Sequence, residues 1–371
     1  MKITGLELFH VRPRWLFLKM STDEGIVGWG EPIVEGHAKT VLTAVRELES
    51  YLIGKDPRQI EHHYQAMTRH AFYRGGPVLV SAISGIEQAM WDIFGKSVGL
   101  PIYQLLGGPT RQKIRVYAHC GGHTPEAAAA SARNRVAAGF TALKTGFDGP
   151  IKLIDSPAVI ARCVDQIAAM RDAVGNDIDI GVDFHGQFSP ATAMRVIKEL
   201  EPYHPMFVEE PCLPENVDTM VTIARSTTIP IATGERLFTR FGFRSAIEKQ
   251  AASIYQPDLS HAGGILECRK IAAMAETYYA GIAPHCPLGP ISLAAGIQLD
   301  ASIPNFVCQE HVNLGAGYLT HPFVVKDGYI DLPTGPGLGI EVDEAAFADK
   351  VFDGNWPNPE TYYDDGSVAD W

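Results

Sequence analysis

The sequence predicts an α/β fold built around a barrel of parallel strands, and two observations predict it. Short apolar runs alternate with helical patterns through the second half of the 371-residue chain, as in a repeated βα unit. Six of these runs end at or just before one polar residue, and these residues follow one another at steps of 26, 26, 23, 27 and 25 positions. In a (β/α)8 barrel the carboxyl ends of all strands meet at one mouth. The residues that we expect to meet there are Asp183, Glu209, Glu235, Asp258, His285 and Glu310.

The first part of the chain has a different pattern from the predicted barrel. Residues 1–33 alternate between apolar and polar side chains, with a turn at 23–25, as antiparallel strands do. Within residues 77–95 the apolar side chains are spaced 4, 3, 4 and 3 positions apart, which predicts one packed helix. The sequence therefore indicates a small α+β unit before the barrel.

The barrel strands can be followed from residue 114 onward. Residues 114–118 predict the first strand, 125–138 an alanine-rich helix, and 140–143 the second strand with Lys144 at its end. After about residue 318 the regular alternation stops, and short strands or turns are expected. We therefore predict three parts, which are a capping domain over residues 1–111, the barrel over 112–318, and a C-terminal segment over 319–371 that returns to the capping domain.

Composition and charge exclude several classes of protein. The net charge of −12 argues against a nucleic-acid partner, because such partners require a basic surface to neutralise phosphates. No apolar run approaches the ~20 residues that a membrane span needs. The six cysteines are scattered without a C-x-x-C pair, and the chain opens directly as a strand rather than as a signal peptide. We therefore expect reduced thiols and a cytoplasmic protein with a small-molecule substrate.

Three carboxylates on consecutive strand ends predict a metal site. Asp183, Glu209 and Glu235 offer oxygen ligands to a hard cation such as Mg²⁺, and no Cys/His cluster offers a zinc site. The alternative is that acidic residues at strand ends cap the next helix, but three in succession make that explanation weaker. Glu210 adjoins Glu209, and since side chains alternate along a strand, the pattern leaves open which of the two is the inward ligand.

Two histidines beside the predicted metal site are acid–base candidates. His285 lies one strand beyond Asp258, and a carboxylate beside an imidazole fixes its tautomer and raises its basicity. His185 lies two residues after Asp183 and so shares its face of the strand. A third histidine, His261, is either a residue lining the mouth or a structural one.

These motifs together resemble the enolase superfamily, in its mandelate racemase-like branch. The resemblance covers essentially the whole chain and rests on these motifs, in chain order: Gly28-Trp-Gly-Glu31, Ala89-Met-Trp-Asp92, Val182-Asp-Phe-His185, Val208-Glu-Glu-Pro211, Thr233-Gly-Glu-Arg236, Gln256-Pro-Asp258 and Ala283-Pro-His285. It implies a modified TIM-type (β/α)7β barrel with an α+β capping, or lid, domain formed by the N-terminal region and the C-terminal tail. It also implies a homo-oligomer.

A closer likeness, to the D-galactonate dehydratases of that branch, rests on residues 72–77, 257–264, 283–290 and 367–371. It implies a Mg²⁺-dependent hydro-lyase that converts D-galactonate to 2-dehydro-3-deoxy-D-galactonate through a metal-stabilised enediolate. The roles that the likeness implies resolve the choice between the adjacent glutamates in favour of Glu209. One Mg²⁺ per subunit is bound by Asp183, Glu209 and Glu235. His285, with Asp258 behind it, removes the C2 proton, His185 protonates the departing 3-hydroxyl, and Glu310 steadies the enediolate.

The chain departs from many relatives at the end of the second strand. They carry Lys-x-Lys there, whereas this chain reads Lys144-Thr-Gly146, and glycine cannot act as a base. Loss of a second base disfavours an epimerase or cycloisomerase and fits a one-base dehydration. Lys144, His261 and Arg74 are the candidates for substrate contacts, and residues 72–77 with Trp15 are candidates for the lid. Dehydration of another aldonate, such as gluconate or mannonate, and a non-catalytic binding barrel remain the alternatives.

Overall fold

A computed structural model describes all residues of the chain, Met1–Trp371. The N-terminal part is a three-stranded antiparallel sheet followed by helices. Its strands are β1 (Ile3–Val11), β2 (Trp15–Thr22) and β3 (Val27–Gly30), and its helices are α1 (Ala38–Leu52), α2 (Ile60–Arg69), α3 (Pro77–Val98) and α4 (Ile102–Leu105). The helix α3 contains the apolar stripe predicted at residues 77–95 and continues for one further turn to a left-handed cap at Gly99.

Seven parallel strands follow in chain order within one sheet. They are β5 (Ala118–His119), β6 (Ala142–Gly146), β7 (Asp179–Asp183), β8 (Phe207–Glu209), β9 (Ile231–Thr233), β10 (Ile254–Tyr255) and β11 (Gly281–Ile282). The helices that follow them are α5 (Pro125–Ala137), α6 (Pro157–Val174), α7 (Pro190–Leu200), α8 (Val217–Arg225), α9 (Thr239–Glu248), α10 (Ile265–Glu276) and α11 (Pro290–Ser302).

An eighth segment, over residues 306–309, closes the ring. Phe306 forms a parallel bridge with Ile282 on one side, and Gln309 forms a parallel bridge with Val116 on the other. Seven βα units and a closing segment make a (β/α)7β barrel, as the resemblance implied. Strand closure brings all the strand ends to one mouth.

The predicted first strand is divided between two sheets. Residues Lys113–Arg115 form β4, which pairs antiparallel with β13 (Tyr329–Asp331), and β13 pairs with β12 (Val325–Lys326). The barrel begins at Val116, which bridges Gln309, and pairing with β6 starts at Ala118, in β5. Ile114 in β4 and residues 116–118 are all buried, so hydrophobicity could not reveal that the hydrogen-bonding partner changes between them.

A cluster of seven buried side chains lies inside the barrel beneath the mouth. Its large members are Tyr117 and Phe207, whose ring centroids are 6.5 Å apart. Phe207 lies two residues before Glu209 and therefore on the same face of β8. A Cβ atom at Gly181 would lie 2.6 Å from the ring of Phe207, so the absence of a side chain there makes room for the ring. The polar site thus rests on a packed aromatic floor.

Two buried carboxylates of the N-terminal part cap barrel helices. Glu31 accepts hydrogen bonds from the backbone N–H groups of Gly289 and Ser292, at the start of α11. Glu87 in α3 accepts from those of Ile265 and Leu266, at the start of α10. Helix N-termini favour negative charge. These contacts, together with a hydrophobic core that is continuous across both parts, hold the N-terminal part against one side of the mouth.

The C-terminal segment passes from the floor of the barrel to its mouth. After β13, the short helix α12 (Glu344–Phe347) packs Phe347 against Phe17 at a centroid distance of 5.5 Å. The chain ends in a hairpin of β14 (Thr361–Tyr362) and β15 (Val368–Ala369). The Tyr363 hydroxyl donates to the carbonyl of Ile151, in the loop after β6. The predicted divisions at residues 111/112 and 318/319 stay predictions. No helix is long and apolar enough to cross a bilayer.

Candidate active site

Three carboxylates converge at the mouth from consecutive strands. Asp183 ends β7, Glu209 ends β8, and Glu235 lies two residues beyond the end of β9. One oxygen from each lies within 4.8 Å of the others. Asp183 and Glu209 are almost fully buried, and the Glu235 side chain is 15% exposed. The site therefore concentrates three acidic groups, of which only Glu235 is appreciably exposed to water.

The side chain of Lys144 lies among these carboxylates. Its Nζ atom is 2.6 Å from Glu209 Oε1, 2.9 Å from Asp183 Oδ2 and 3.3 Å from Glu310 Oε1. Burial acts to lower the pKa of Lys144, but the carboxylates, led by Asp183 and Glu209, raise it well above its ordinary value. Lys144 is therefore a fixed positive charge at the centre of the mouth, and its side chain is 4% exposed.

The carboxylates repel one another despite this lysine. Burial raises the pKa of Glu209, and the neighbouring Asp183 carboxylate raises it further, to well above its usual range. Burial also acts to raise the pKa of Asp183, but Lys144 and His185 outweigh it and hold that pKa below its usual value. One ammonium thus does not balance the cluster, and an additional positive charge between the carboxylates would relieve the repulsion.

The donor set fits a hard divalent cation. All three groups are carboxylates, the ligands that Mg²⁺ and Ca²⁺ prefer, and no thiolate or imidazole belongs to the cluster. Gln256 supports the set, because its side-chain amide donates to the second oxygen of Glu209 at 2.7 Å. Such contacts orient ligating oxygens toward a metal. Asp183, Glu209 and Glu235 are therefore the residues that would hold an ion.

A histidine and an aspartate form a pair on one flank of the cluster. His285 Nδ1 lies 2.8 Å from Asp258 Oδ2, and His285 Nε2 lies 3.2 Å from Glu235 Oε2. Asp258 is fully buried, and its other oxygen accepts a hydrogen bond from the backbone N–H of Ser260 at 2.7 Å. Burial acts to lower the pKa of His285, but Glu235, Glu310 and Asp258 raise it well above its ordinary value. Asp258 thus fixes the ring with Nε2 directed at the mouth.

A second histidine lies on the other flank. His185 Nε2 is 3.1 Å from Asp183 Oδ2, and its side chain is 44% exposed. Burial acts to lower its pKa, but the Asp183 carboxylate raises it to about 9. Both imidazoles are therefore protonated at neutral pH while no cation offsets the carboxylates. They differ in exposure and in the buried carboxylate that lies behind His285 alone.

Glu310 contacts both the lysine and a backbone amide. Its Oε2 atom accepts a hydrogen bond from the N–H of Cys286 at 2.7 Å, and its Oε1 atom lies 2.8 Å from His119 Nε2. Burial acts to raise its pKa, but Lys144 and His285 hold it well below its usual range. Glu310 therefore carries a negative charge beside Lys144 at neutral pH.

The remaining candidates from the sequence lie farther from the carboxylates. His261 is behind the histidine–aspartate pair, with its Nε2 atom 3.8 Å from Asp258 Oδ2 and its Nδ1 atom 3.0 Å from the Ser81 hydroxyl. Arg74 lies at the edge of a separate cavity of about 560 Å³, between α1, α2, α3 and the start of α9. Trp15 is buried, with its ring centroid 4.9 Å from that of Tyr318, and its place in the lid stays a prediction.

Several side chains at the site were not predicted from the sequence. His119 ends β5, the strand before that of Lys144. Because the carboxyl ends of all barrel strands meet at the mouth, its position at a strand end could have predicted it. Gln256 lies two residues before Asp258 and shares its strand face. The N-terminal part supplies Arg14, whose Nη2 atom donates to the carbonyl of Pro287 at 3.1 Å and whose guanidinium lies 4.6 Å from the ring centroid of Trp356. No local pattern marks Arg14 or Trp356, because their contacts join distant parts of the chain.

Comparison with protein families agrees with this geometry. Residues 11–107 match the mandelate racemase / muconate lactonizing enzyme N-terminal domain, and residues 127–346 match the enolase C-terminal domain-like family. The two matches cover most of the chain and correspond to the antiparallel sheet with its helices and to the barrel.

Individual proteins are similar over their full lengths. The D-galactonate dehydratases of Ralstonia pickettii (strain 12J) and Pectobacterium atrosepticum are 48% and 47% identical to this chain, with 100% of each chain covered. A solved structure of a mandelate racemase/muconate lactonizing enzyme from Sulfitobacter sp. superposes with a TM-score of 0.93 at 36% identity, with 100% of both chains covered. One from Jannaschia sp. CCS1 gives a TM-score of 0.91 at 35% identity, over 96% of this chain and 99% of that one. The chain therefore belongs to the enolase superfamily, in its mandelate racemase/muconate lactonizing enzyme group, as an enzyme similar to D-galactonate dehydratases.

Proposed function

We propose that this enzyme is a Mg²⁺-dependent hydro-lyase that converts D-galactonate to 2-dehydro-3-deoxy-D-galactonate. The observation that carries the proposal is the placement of two different histidines on two flanks of one carboxylate cluster. His285 is backed by the buried Asp258, and His185 is partly exposed beside Asp183. The names of the full-length relatives support D-galactonate as the substrate.

The reaction begins with removal of the C2 proton. A cation on Glu235 would offset the carboxylate that contributes most to raising the pKa of His285, and would so favour the neutral imidazole. His285 Nε2 then accepts the C2 proton, and Asp258 stabilises the resulting imidazolium through the 2.8 Å contact with Nδ1. A divalent cation held by Asp183, Glu209 and Glu235 would stabilise the negative charge that develops on the substrate carboxylate. Lys144, as a buried ammonium, adds a second positive charge for that carboxylate.

The reaction ends with loss of the 3-hydroxyl. The electron pair left by the C2 proton forms the C2–C3 double bond as the C3–O bond breaks. His185 donates the proton that turns the leaving hydroxide into water, and the enol formed at C2 tautomerises to the 2-keto product. One base and one acid on separate elements suffice for this sequence. At the position where a racemase of this group would need a second base, the chain has Gly146.

A substrate panel tests the proposal. The protein is incubated with Mg²⁺ and a set of aldonates and aldarates, and 2-keto-3-deoxy acids are measured. We expect product from D-galactonate. Product from gluconate or mannonate instead would overturn the substrate and keep the class, whereas metal binding without turnover of any acid sugar would overturn the class.

Two variants separate the proposed roles of the histidines. In ²H₂O, His285→Asn should abolish both incorporation of deuterium at C2 and dehydration, because no base remains. His185→Asn should lose dehydration and keep deuterium incorporation, because only the acid is gone. Unimpaired C2 exchange in His285→Asn would remove His285 as the base. The cytoplasmic location and the homo-oligomeric state stay predictions of the sequence.

A further inference from the structure

The backbone is left-handed at two non-glycine residues beside the site. His185 has φ +49° and Glu210 has φ +39°, and they lie just beyond the ends of the neighbouring strands β7 and β8. This region is unfavourable for residues with a Cβ atom, at about 1 kcal/mol or more for each residue. A residue stays there only when its surroundings hold it. The contacts that hold His185 therefore decide where its imidazole lies.

A single arginine joins the two left-handed residues. Arg236 Nη2 donates to the carbonyl oxygen of His185 at 2.9 Å, and Arg236 Nε donates to Glu210 Oε2 at 2.7 Å. A backbone hydrogen bond runs in parallel, from the N–H of Gly186 to the carbonyl of Glu210 at 2.8 Å. The guanidinium therefore spans two strand ends, which a lysine ammonium, as a point donor, cannot do in the same geometry.

Glu210 is itself held on both sides. Its side chain has no exposed surface, and its other oxygen accepts a hydrogen bond from the Thr233 hydroxyl at 2.8 Å. A Cβ atom at Gly186 would lie 2.4 Å from Arg236 Nη2, so glycine at that position admits the guanidinium against the backbone. The pair thus contacts the backbone of the turn that carries His185, whereas the His185 imidazole contacts Asp183.

We propose that Arg236 and Glu210 are positioning residues for His185, and that they set the rate of the acid-assisted step without touching the substrate. This inference rests on the proposed function and deepens it. Arg236 Nε is also 3.8 Å from Glu235 Oε1, so its removal also changes the surroundings of a proposed metal ligand. The two steps of the reaction distinguish these routes, because C2 proton removal requires the metal ligands and His285, whereas loss of the 3-hydroxyl also requires His185.

The test compares Arg236→Ala and Glu210→Gln with a matched control. The control is Arg240→Ala, at the start of α9, which breaks an arginine–glutamate pair of similar burial with Glu267 in α10. Three quantities are measured with Mg²⁺ present, namely dehydration of D-galactonate, deuterium incorporation at C2 of the unreacted substrate, and amide hydrogen exchange of residues 184–188. Arg236→Lys tests whether charge alone suffices.

Displacement of His185 by about 1 Å should lower dehydration by roughly 100-fold in Arg236→Ala. Because C2 proton removal continues at its original rate, the ratio of C2 exchange to dehydration should rise by the same factor, roughly 100-fold. The amides of His185 and Gly186 should exchange faster, because their turn loses the hydrogen bond from Arg236 to the His185 carbonyl. Arg236→Lys should resemble Arg236→Ala, and Arg240→Ala should leave all three quantities unchanged.

Equal loss of both reactions, with an unchanged ratio, would assign Arg236 to the metal site or to folding and overturn the inference. Unchanged amide exchange at His185 and Gly186 would overturn it as well. The amide measurement does not require turnover. If the wild-type enzyme dehydrates no acid sugar, the proposed function fails while the positioning of His185 by Arg236 is still decided.

Discussion

Replacing Asp258 with asparagine should remove the basicity of His285 while keeping the shape of the site. Asp258 is fully buried and makes two contacts, which are the 2.8 Å contact with His285 Nδ1 and the 2.7 Å hydrogen bond from the N–H of Ser260. Asparagine has the same volume and can still accept from Ser260. It cannot stabilise an imidazolium by charge, and its amide NH₂ group favours the wrong tautomer of the ring.

The magnitude follows from the burial of this pair. Removing one partner of a buried charged pair costs about 3–5 kcal/mol. If that loss falls on the transition state in which His285 becomes charged, it corresponds to a decrease of about 150- to 5,000-fold in kcat, at 1.36 kcal/mol per tenfold. Since Asp258 is among the groups that raise the pKa of His285, that pKa should also fall in the variant.

The assay measures dehydration and C2 deuterium incorporation side by side. Both should decrease together in Asp258→Asn, because the defect lies in proton removal, whereas in His185→Asn only dehydration should decrease. A loss of less than about tenfold in both reactions would refute the assigned role of Asp258, since one ordinary hydrogen bond to a charged group is already worth about 1.5–3 kcal/mol. If Asp258→Asn kept deuterium incorporation at C2 and lost dehydration, Asp258 would instead support the acid, His185.

Three further predictions concern the metal, the helix caps and acid stability. Chelation of the metal should abolish both reactions. Mg²⁺ at about 100 times its Kd should raise the unfolding free energy by about 2.7 kcal/mol. The assigned ligands would be contradicted if Mg²⁺ left the melting temperature unchanged, or if it raised the melting temperature of Glu209→Gln as much as that of the wild type. Glu87→Ala leaves buried N–H donors of α10 without an acceptor and should lower the unfolding free energy by about 3 kcal/mol. The control Glu61→Ala breaks an exposed pair with Lys270 and should lower it by under about 1 kcal/mol. Denaturant titration measures both. Burial lowers the pKa of His311 to about 4. As the pH falls below about 6.5, His311 therefore takes up a proton in the unfolded chain before it does so in the folded protein. The free energy of unfolding should decrease between about pH 6.5 and pH 4, by about 1–2 kcal/mol at pH 5. His311→Phe keeps the stacking on Phe140 and should show a smaller decrease in melting temperature from pH 7 to pH 5; an equal decrease would contradict this origin.

The choice between Glu209 and Glu210 shows where sequence reasoning stopped. Alternation along a strand says that only one of them points inward, and the resemblance, rather than the pattern, selected Glu209. In the structure Glu209 joins the carboxylate cluster, and Glu210 turns into a left-handed conformation and pairs with Arg236. The role of Glu210 depends on a residue 26 positions later, so no local pattern contains it.

Lys144 is a second example. The sequence placed it at a strand end as a candidate substrate contact. The structure places its ammonium within 3.3 Å of Asp183, Glu209 and Glu310, so its charge also belongs to the balance of the carboxylate cluster. That balance depends on distances between side chains from four strands, which the spacing along the chain does not determine.

The sequence by itself determined the barrel, the order of its strands and the set of acidic and basic side chains at the strand ends. It could do so because a βα repeat puts one functional position at a regular interval, and because parallel strands direct all such positions to one mouth. Only the tertiary structure decided the surroundings of these side chains. Packing brings distant residues together and leaves no periodic signal in the chain. The contacts decided in this way are those of Glu31 and Glu87 with barrel helices, of Arg14 with Trp356, and of Arg236 with the carbonyl of His185.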